Sequence, residues 1–451
     1  MKNKSTQAPV QRISRRRFLQ GMASVPVLLS GGWFLQGCAV DPVTGKQQLV
    51  MMSKEQEIDI DRKYSPFQFS SDYGRTQDQA LTDYVNQVGQ EMAAHVHRRD
   101  MPYNFQCVNA TYINAYAFPG GSIAATRGIL LKLKNEAELA GLLGHELGHV
   151  NARHSAEQMA KSQITSLIVG GLSVLAATQS RELGRLSQQL GALGQGLFLS
   201  SYSRDNEREA DSLGQGYMVK TGYNSKGFVG LMEMLNSLHK SHPSSAQILF
   251  ATHPMSSERL EVARDRNRGP YQHSKDYPVH RERYMDHLAS LRKIETAIVS
   301  MQEGESFLGK GEYDHAQRAF QSALAKAPED YTAHVLMGKC LLIREKPSQA
   351  ISYARNAARI YPGETQGHYI YGLSSLGVKK FDQALDSFST CDRLLPGNPQ
   401  VTFYRGYSLE HTGDRRSAAQ SYQRYLKMIN FQSNKYSKYA YQRLQEWGYA
   451  S

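Results

Sequence analysis

Four cysteines in 451 residues leave little room for covalent bracing. Cys38 belongs to an N-terminal segment with its own logic, so Cys107, Cys340 and Cys391 remain. An odd, widely spaced trio makes no disulfide framework, and each sits in an apolar pattern, as a small buried hydrophobe would. Also missing is an unbroken apolar run of the roughly 20 residues a membrane helix needs. Residues 18–37 are interrupted by Pro26, and residues 164–178 are apolar but too short. The latter read as a core helix, with a lid over a cleft or a membrane-surface contact as alternatives. Blocks of lysine or arginine are absent beyond residue 37. The first 37 residues carry six basic side chains and no acid, so the formal net charge of +12 falls to +6 without them. A mildly basic chain with no basic block is not built for nucleic acid.

What the N-terminus does have is the pattern of an export signal: basic residues, then the apolar 18–37 stretch. Ser14-Arg15-Arg16-Arg17-Phe18-Leu19 is similar to the twin-arginine signature of substrates exported in folded form. Leu35-Gln36-Gly37-Cys38 is similar to a lipoprotein cleavage box, which would leave Cys38 acylated as the new N-terminus. An uncleaved anchor is the alternative. Ala39 follows the cysteine where aspartate usually signals inner-membrane retention, which in a diderm bacterium points to the inner leaflet of the outer membrane. The expected order is a signal peptide over 1–37 and a turn-rich tether over 38–52, on the periplasmic side of the envelope.

Beyond the tether, Leu81, Tyr84, Val85, Val88 and Met92 recur at helical spacing. Tyr103, Phe105 and Cys107 alternate with polar neighbours, as in a half-buried strand. Pro119-Gly120-Gly121 signals a turn, followed by a strand at 122–126 and a short helix at 127–134. A strand with an open edge beside a reactive site can pair with an extended peptide, so 122–126 is a candidate substrate edge; an ordinary sheet strand is the alternative.

The chemistry concentrates in Gly144-His145-Glu146-Leu147-Gly148-His149. On a helix, His145 and His149 stand one turn apart on one face, where both can bind one zinc ion while Glu146 reaches a water on the metal. Asn135 caps this helix with Glu138 three residues on, and Leu139, Leu142, Leu143 and Val150 supply a buried stripe. A catalytic zinc needs a third protein ligand. His154 is out of phase with the metzincin pattern, where a third histidine falls six residues after the second, and reads as structural or surface. Ser203-Arg204-Asp205-Asn206-Glu207-Arg208-Glu209-Ala210-Asp211 offers Glu207 as ligand, with Asp211 one turn on to accept a ring N–H from a ligand histidine. Glu209 points off that face and reads as solvated. A plain charged helix is the competing account of this segment.

After the site the architecture changes. Ala316, Ala350, Ala384 and Ala418 recur every 34 residues, as do Pro328, Pro362 and Pro396, and Gly338, Gly372 and Gly406. Four residues after each alanine stand Phe320, Phe388 and Tyr422, with Ala354 the exception. This is the tetratricopeptide period, with four repeats over 297–430 and a capping helix over 431–451, a solenoid with a concave surface for a protein partner or substrate. Residues 266–296 join the halves.

His145-Glu146-Leu147-Gly148-His149 with Glu207 and Ala210-Asp211 resembles the gluzincin metallopeptidases of the HtpX and CAAX-prenyl-protease family. So do Asn114-Ala115-Tyr116-Ala117-Phe118-Pro119-Gly120-Gly121, Thr126-Arg127-Gly128 and Asn135-Glu136-Ala137-Glu138-Leu139-Ala140. Envelope proteases of that family with C-terminal tetratricopeptide repeats are the nearest in plan. The resemblance implies an α+β zincin-like domain over 53–265, mostly helical with a small sheet, ahead of the all-α solenoid. It implies one Zn2+ held by His145, His149 and Glu207, with Glu146 as general base and Asp211 in the family's second carboxylate position. Thr252-His253-Pro254 matches a further family segment, and His253 would stabilise the reacting carbonyl, donate a proton, or fill the open coordination site; an ordinary structural histidine is the alternative. The expected activity is zinc endopeptidase cleavage of envelope proteins, with unfolded outer-membrane proteins among the substrates. The rival is a non-enzymatic scaffold or chaperone with a structural or closed zinc site.

Overall fold

The computed structural model describes residues 38–40, 43, 47–49, 52–158, 201–241 and 243–450. The signal segment 1–37 and the apolar 164–178 stretch lie outside the described residues. Within the tether, strands β1 (Cys38–Val40) and β2 (Gln47–Leu49) pair antiparallel, joined across the turn-rich 41–46 stretch. No helix among the described residues is long and apolar enough to cross a membrane. The chain divides into two units, one reaching residue 336 and one formed by Met337–Ser451.

In the first unit, α1 (Lys54–Ser71) starts on a Ser53 capping box, and α2 (Gln79–Ala93) buries Leu81, Tyr84, Val85, Val88 and Met92, the residues at helical spacing. Gly89 gives α2 a flat spot on which the Phe105 ring lies; a Cβ there would sit 2.2 Å from that ring. Phe105 belongs to β3 (Asn104–Val108), which pairs parallel with β5 (Ser122–Thr126); β5 in turn pairs antiparallel with β4 (Ala115–Ala117). The sheet order is β3-β5-β4, so 122–126 is the central strand and the expected open edge does not exist there. The outer strands are β3 and β4. β3 is also buried from Phe105 to Val108, not half-buried, because its polar positions such as Gln106 are covered too. Pro119-Gly120-Gly121 makes the β4–β5 turn: Gly121 has φ +104°, and a side chain on Gly120 would strike Asp61, whose Oδ2 accepts the Ser122 N–H at 2.8 Å. The helix after β5, α3, spans Arg127–Leu130 and not 127–134.

Helix α4 (Glu136–Asn151) is the axis of the unit and is buried on every side, so the leucine stripe is only part of its contact surface. Asn135 Oδ1 accepts the Glu138 N–H at 2.9 Å, and Glu138 Oε2 accepts the N–H of Lys134 at 2.7 Å. Against α4 pack α5 (Arg204–Lys220), opened by a Ser203 capping box, and α6 (Lys226–Ser241). Two short segments follow: α7 (Gln247–Thr252) and α8 (Ser257–Arg268).

Helices at Glu295–Gly309 and Tyr313–Lys326 form the first antiparallel pair of the repeat region, and in the second unit such helices continue to Lys435–Glu446. The 34-residue period has a packing cause. Gly304 faces the Phe320 ring, Gly372 the Phe388 ring and Gly406 the Tyr422 ring, each so close that a Cβ would lie within 3 Å of it. Where the repeat has Ala354, the space at Gly338 is taken by Ile370, 2.9 Å from the Cβ position. Cys340 and Cys391 are fully buried in this stack, and Cys107 in the sheet, where burial pushes its thiol up to about 12.

Candidate metal centre

The cross-over of α4 and α5 builds the site. A Cβ on Gly144 would lie 2.8 Å from Gly214 O, and one on Gly148 would lie 2.8 Å from Ala210 Cα. Bare backbone against small residues lets the two helices approach closely, which explains the residues between and around the histidines. The approach sets His145 and His149 of α4 opposite Glu207 of α5, all three buried. From the C-terminal end of α7, His253 joins them, its N–H donating to Leu249 O at 2.7 Å.

The donor atoms of these four residues lie within 4.8 Å of one another. His145 Nε2 is 3.0 Å from His149 Nε2, 3.6 Å from Glu207 Oε2 and 3.3 Å from His253 Nδ1. Glu207 Oε1 is 3.4 Å from His149 Nε2 and 3.1 Å from His253 Nδ1. A tetrahedral ion with bonds of about 2.0–2.1 Å has donor–donor edges of about 3.3–3.4 Å, and these five edges bracket that length. Three imidazole nitrogens and a carboxylate oxygen have too few protons to satisfy one another in a dry pocket. A metal cation supplies what they lack.

Burial drives the His149 imidazole well below its ordinary pKa, which keeps it neutral as a ligand must be. Burial works against ionised Glu207, yet His253, Arg259 and His145 outweigh it and hold that carboxyl well below the usual range. His253 is raised overall: burial opposes its charge, and Glu207 and Glu146 more than compensate. Glu146 is 1% exposed, burial raises its carboxyl, and its Oε2 has no hydrogen-bond partner. Its Oε1 lies 4.0 Å from His253 Nε2.

Asp211 stands where the sequence placed it, Oδ1 3.0 Å from His145 Nδ1. The sequence reading missed what holds Asp211. Arg259 on α8 grips both its oxygens at 2.7 Å and reaches Glu207 Oε2 at 2.6 Å. No spacing pattern announces Arg259; its only cue is a place six residues after His253. Tyr202 was missed as well, and its ring stacks on His149 with centroids 3.8 Å apart. Of the structural and surface readings of His154, its full burial fits the structural one. One expectation is corrected: Glu209 is not simply solvated, since its Oε2 lies 3.2 Å from His154 Nε2. Glu209 thus meets His154, three residues past the end of α4, at a partly exposed rim. Cys38 opens β1, away from all of these contacts in sequence, and its acylation depends on the segment outside the described residues.

Residues 79–267 match Peptidase family M48, and residues 301–365 match a tetratricopeptide repeat family. The chain is 28% identical to "Beta-barrel assembly-enhancing protease" of Yersinia pestis over 306 residues and of Escherichia coli K12 over 304, covering 62% of this chain and 62% of each relative. "Metalloprotease YcaL" of E. coli K12 is 35% identical over 165 residues, 37% of this chain and 62% of that one. The aligned part thus spans under two thirds of these relatives' length. Residues 79–267 are thus similar to M48 peptidases, and residues 301–365 to tetratricopeptide repeats.

Proposed function

We propose that this M48 domain is a zinc-dependent endopeptidase acting on envelope proteins. The observation that carries the reading is the four-donor cluster with a buried Glu146 beside it, one of whose carboxylate oxygens, Oε2, has no hydrogen-bond partner. His145, His149 and Glu207 would hold the metal. Zinc in that place supplies a Lewis acid for an amide carbonyl and lowers the pKa of water toward about 7. Glu146 takes the proton of the attacking water and passes it to the leaving nitrogen as the C–N bond breaks, a shuttle favoured by its raised pKa. Asp211 and Arg259 keep His145 and Glu207 in place. The β4 edge, with its backbone beside α4, is where an extended substrate would pair.

Domain borders at 53–265, 266–296, 297–430 and 431–451 belong to the same reading, supported by the helix pairs that begin at Glu295. So does a lipid tether at Cys38 on the periplasmic face of the outer membrane, after twin-arginine export, supported by the N-terminal motifs. Proteins of β-barrel assembly are the substrate or partner class, supported by the names of the relatives, with the repeats as their recruiting surface.

One observation favours a second reading. His253 stands in the fourth corner of the cluster, which is the closed arrangement a structural site or a non-enzymatic scaffold would have. A buried Glu146 with one carboxylate oxygen lacking a hydrogen bond is costly and serves such a site nothing. Casein cleavage and zinc content, measured on the protein and on Glu146→Gln, test the two. Zinc in both with cleavage only in the unsubstituted protein supports the endopeptidase. Zinc in both with no cleavage in either, persisting in His253→Ala, would sink it.

A further inference from the structure

The second histidine of the motif is backed by polar groups that the chemistry above leaves unused. His149 Nδ1 lies 3.0 Å from His154 Nδ1, and His154 Nε2 lies 3.2 Å from Glu209 Oε2. Both imidazoles are fully buried, while the Glu209 side chain is 28% exposed at the rim. The Tyr202 ring covers His149, and its hydroxyl meets Ser155 Oγ at 2.9 Å, beside His154.

Two ring nitrogens at 3.0 Å in a dry setting share one proton. Its owner follows from the other ends of the rings. His149 Nε2 faces the donor cluster and must present a lone pair there, so the His149 proton sits on Nδ1 and donates to His154 Nδ1. His154 then carries its own proton on Nε2, pointing at the Glu209 carboxylate. The opposite order would place a proton on His149 Nε2, turn an N–H toward the cluster and exclude a cation. It would also leave Glu209 facing a lone pair. A carboxylate at the far end therefore selects the order that leaves His149 open to metal.

His145 is served differently, by Asp211 directly, with Arg259 clamping that carboxylate. The two ligand histidines thus have separate supports, one ending in a buried ion pair and one ending near solvent.

We propose that His154 and Glu209 are positioning residues, a relay that fixes the tautomer and ring orientation of His149 and thereby sets the metal affinity of the centre. The proposal rests on the metallopeptidase reading for the presence of a metal, and on nothing in its catalytic step.

The test is chelator competition for Zn2+ and Co2+ on the full chain, comparing the unsubstituted protein with His154→Leu, His154→Asn and Glu209→Leu. Asparagine keeps an acceptor close to where Nδ1 stood; leucine has a similar size and none. Loss of the acceptor is expected to weaken metal binding about 10–100-fold in His154→Leu, with His154→Asn within about threefold of the unsubstituted protein. A visible cobalt spectrum that changes in His154→Leu and is restored in His154→Asn is the matching signature. Metal-free melting temperatures of the two variants should agree, which separates the relay from general packing. Unchanged affinity in His154→Leu, or equal loss in both His154 variants, overturns the relay. Should His154→Leu not fold, Glu209→Leu, which removes the acceptor at the rim, decides: affinity equal to that of the unsubstituted protein overturns it. Failure of the unsubstituted protein to bind either metal overturns the metallopeptidase reading itself.

Discussion

Gly148→Ala tests whether the helix cross-over holds the metal centre together. The added Cβ would lie 2.7 Å from Ala210 O and 2.8 Å from Ala210 Cα. Carbon contacts relax at about 3.5 Å, so α4 and α5 must part by roughly 0.7 Å, and backbone cannot swing aside as a side chain does. Glu207 lies one turn from Ala210 on the same helix, and His149 adjoins Gly148. The opening is therefore passed to the His149–Glu207 edge, now 3.4 Å. An edge near 4 Å no longer suits bonds of about 2.0–2.1 Å. Overpacking should cost about 1–3 kcal/mol, partly offset by the roughly 1 kcal/mol alanine gains over glycine in a helix. Metal affinity should fall at least about tenfold, and a ligand displaced by most of an ångström should cost about 10²-fold in cleavage. Gly141→Ala is the control. Its Cβ would meet the Phe228 ring at 3.3 Å, close to ordinary contact, so stability should hold or rise by up to about 1 kcal/mol with metal binding intact. Denaturant melts, chelator competition and casein cleavage on the two variants give the readouts. Unaltered metal affinity in Gly148→Ala, or matching losses in Gly141→Ala, would refute the reasoning.

Arg259→Met takes the guanidinium away from two buried carboxylates, Asp211 and Glu207, leaving them only histidine partners, and should destabilise the metal-free first unit by about 3–5 kcal/mol, with part regained on adding zinc; melts with and without zinc check this. Glu136 takes hydrogen bonds from Arg283, Tyr223 and Tyr84, which outweigh burial and hold its pKa below the ordinary value. Its stabilising effect is thus present above the unfolded pKa and lost as pH falls through the lower folded one; melts from pH 7 to pH 3 should show Glu136→Gln less stable at neutrality and converging with the unsubstituted protein in acid. Gly372→Val drives a side chain into the Phe388 ring and should lower the stability of the repeats by about 1–3 kcal/mol while zinc content stays the same.

Local chemistry was legible in the sequence where one helix carries it. The i, i+4 spacing of His145 and His149 and of Glu207 and Asp211 puts each pair on one face, and the structure brings those faces together. The glycine, alanine and proline period announced the helix pairs for the same reason, since each repeat packs on its neighbour. What stayed hidden depends on contacts distant in the chain. Nothing in the residues 122–126 says whether they lie at the middle or the rim of a sheet; that is decided by β3 and β4 on either side. Glu209 looks idle on a helical wheel drawn for one partner face, but the chain just after α4 brings His154 to it. Arg259 is 48 residues from Asp211, and no local pattern links a guanidinium to a carboxylate at that distance.

The edge strand β4 has three residues, about 10 Å of backbone. An edge that short is a poor template for pairing with the sheets of other chains, which guards the protein against aggregation through it. It would also give an extended peptide only a few hydrogen bonds, so under the proposed function the edge alone would hold a substrate weakly. Turnover would then depend on local concentration: a chain tethered elsewhere on the protein would be cut at a rate set by how often its loose segments visit the site, and an untethered one would largely escape.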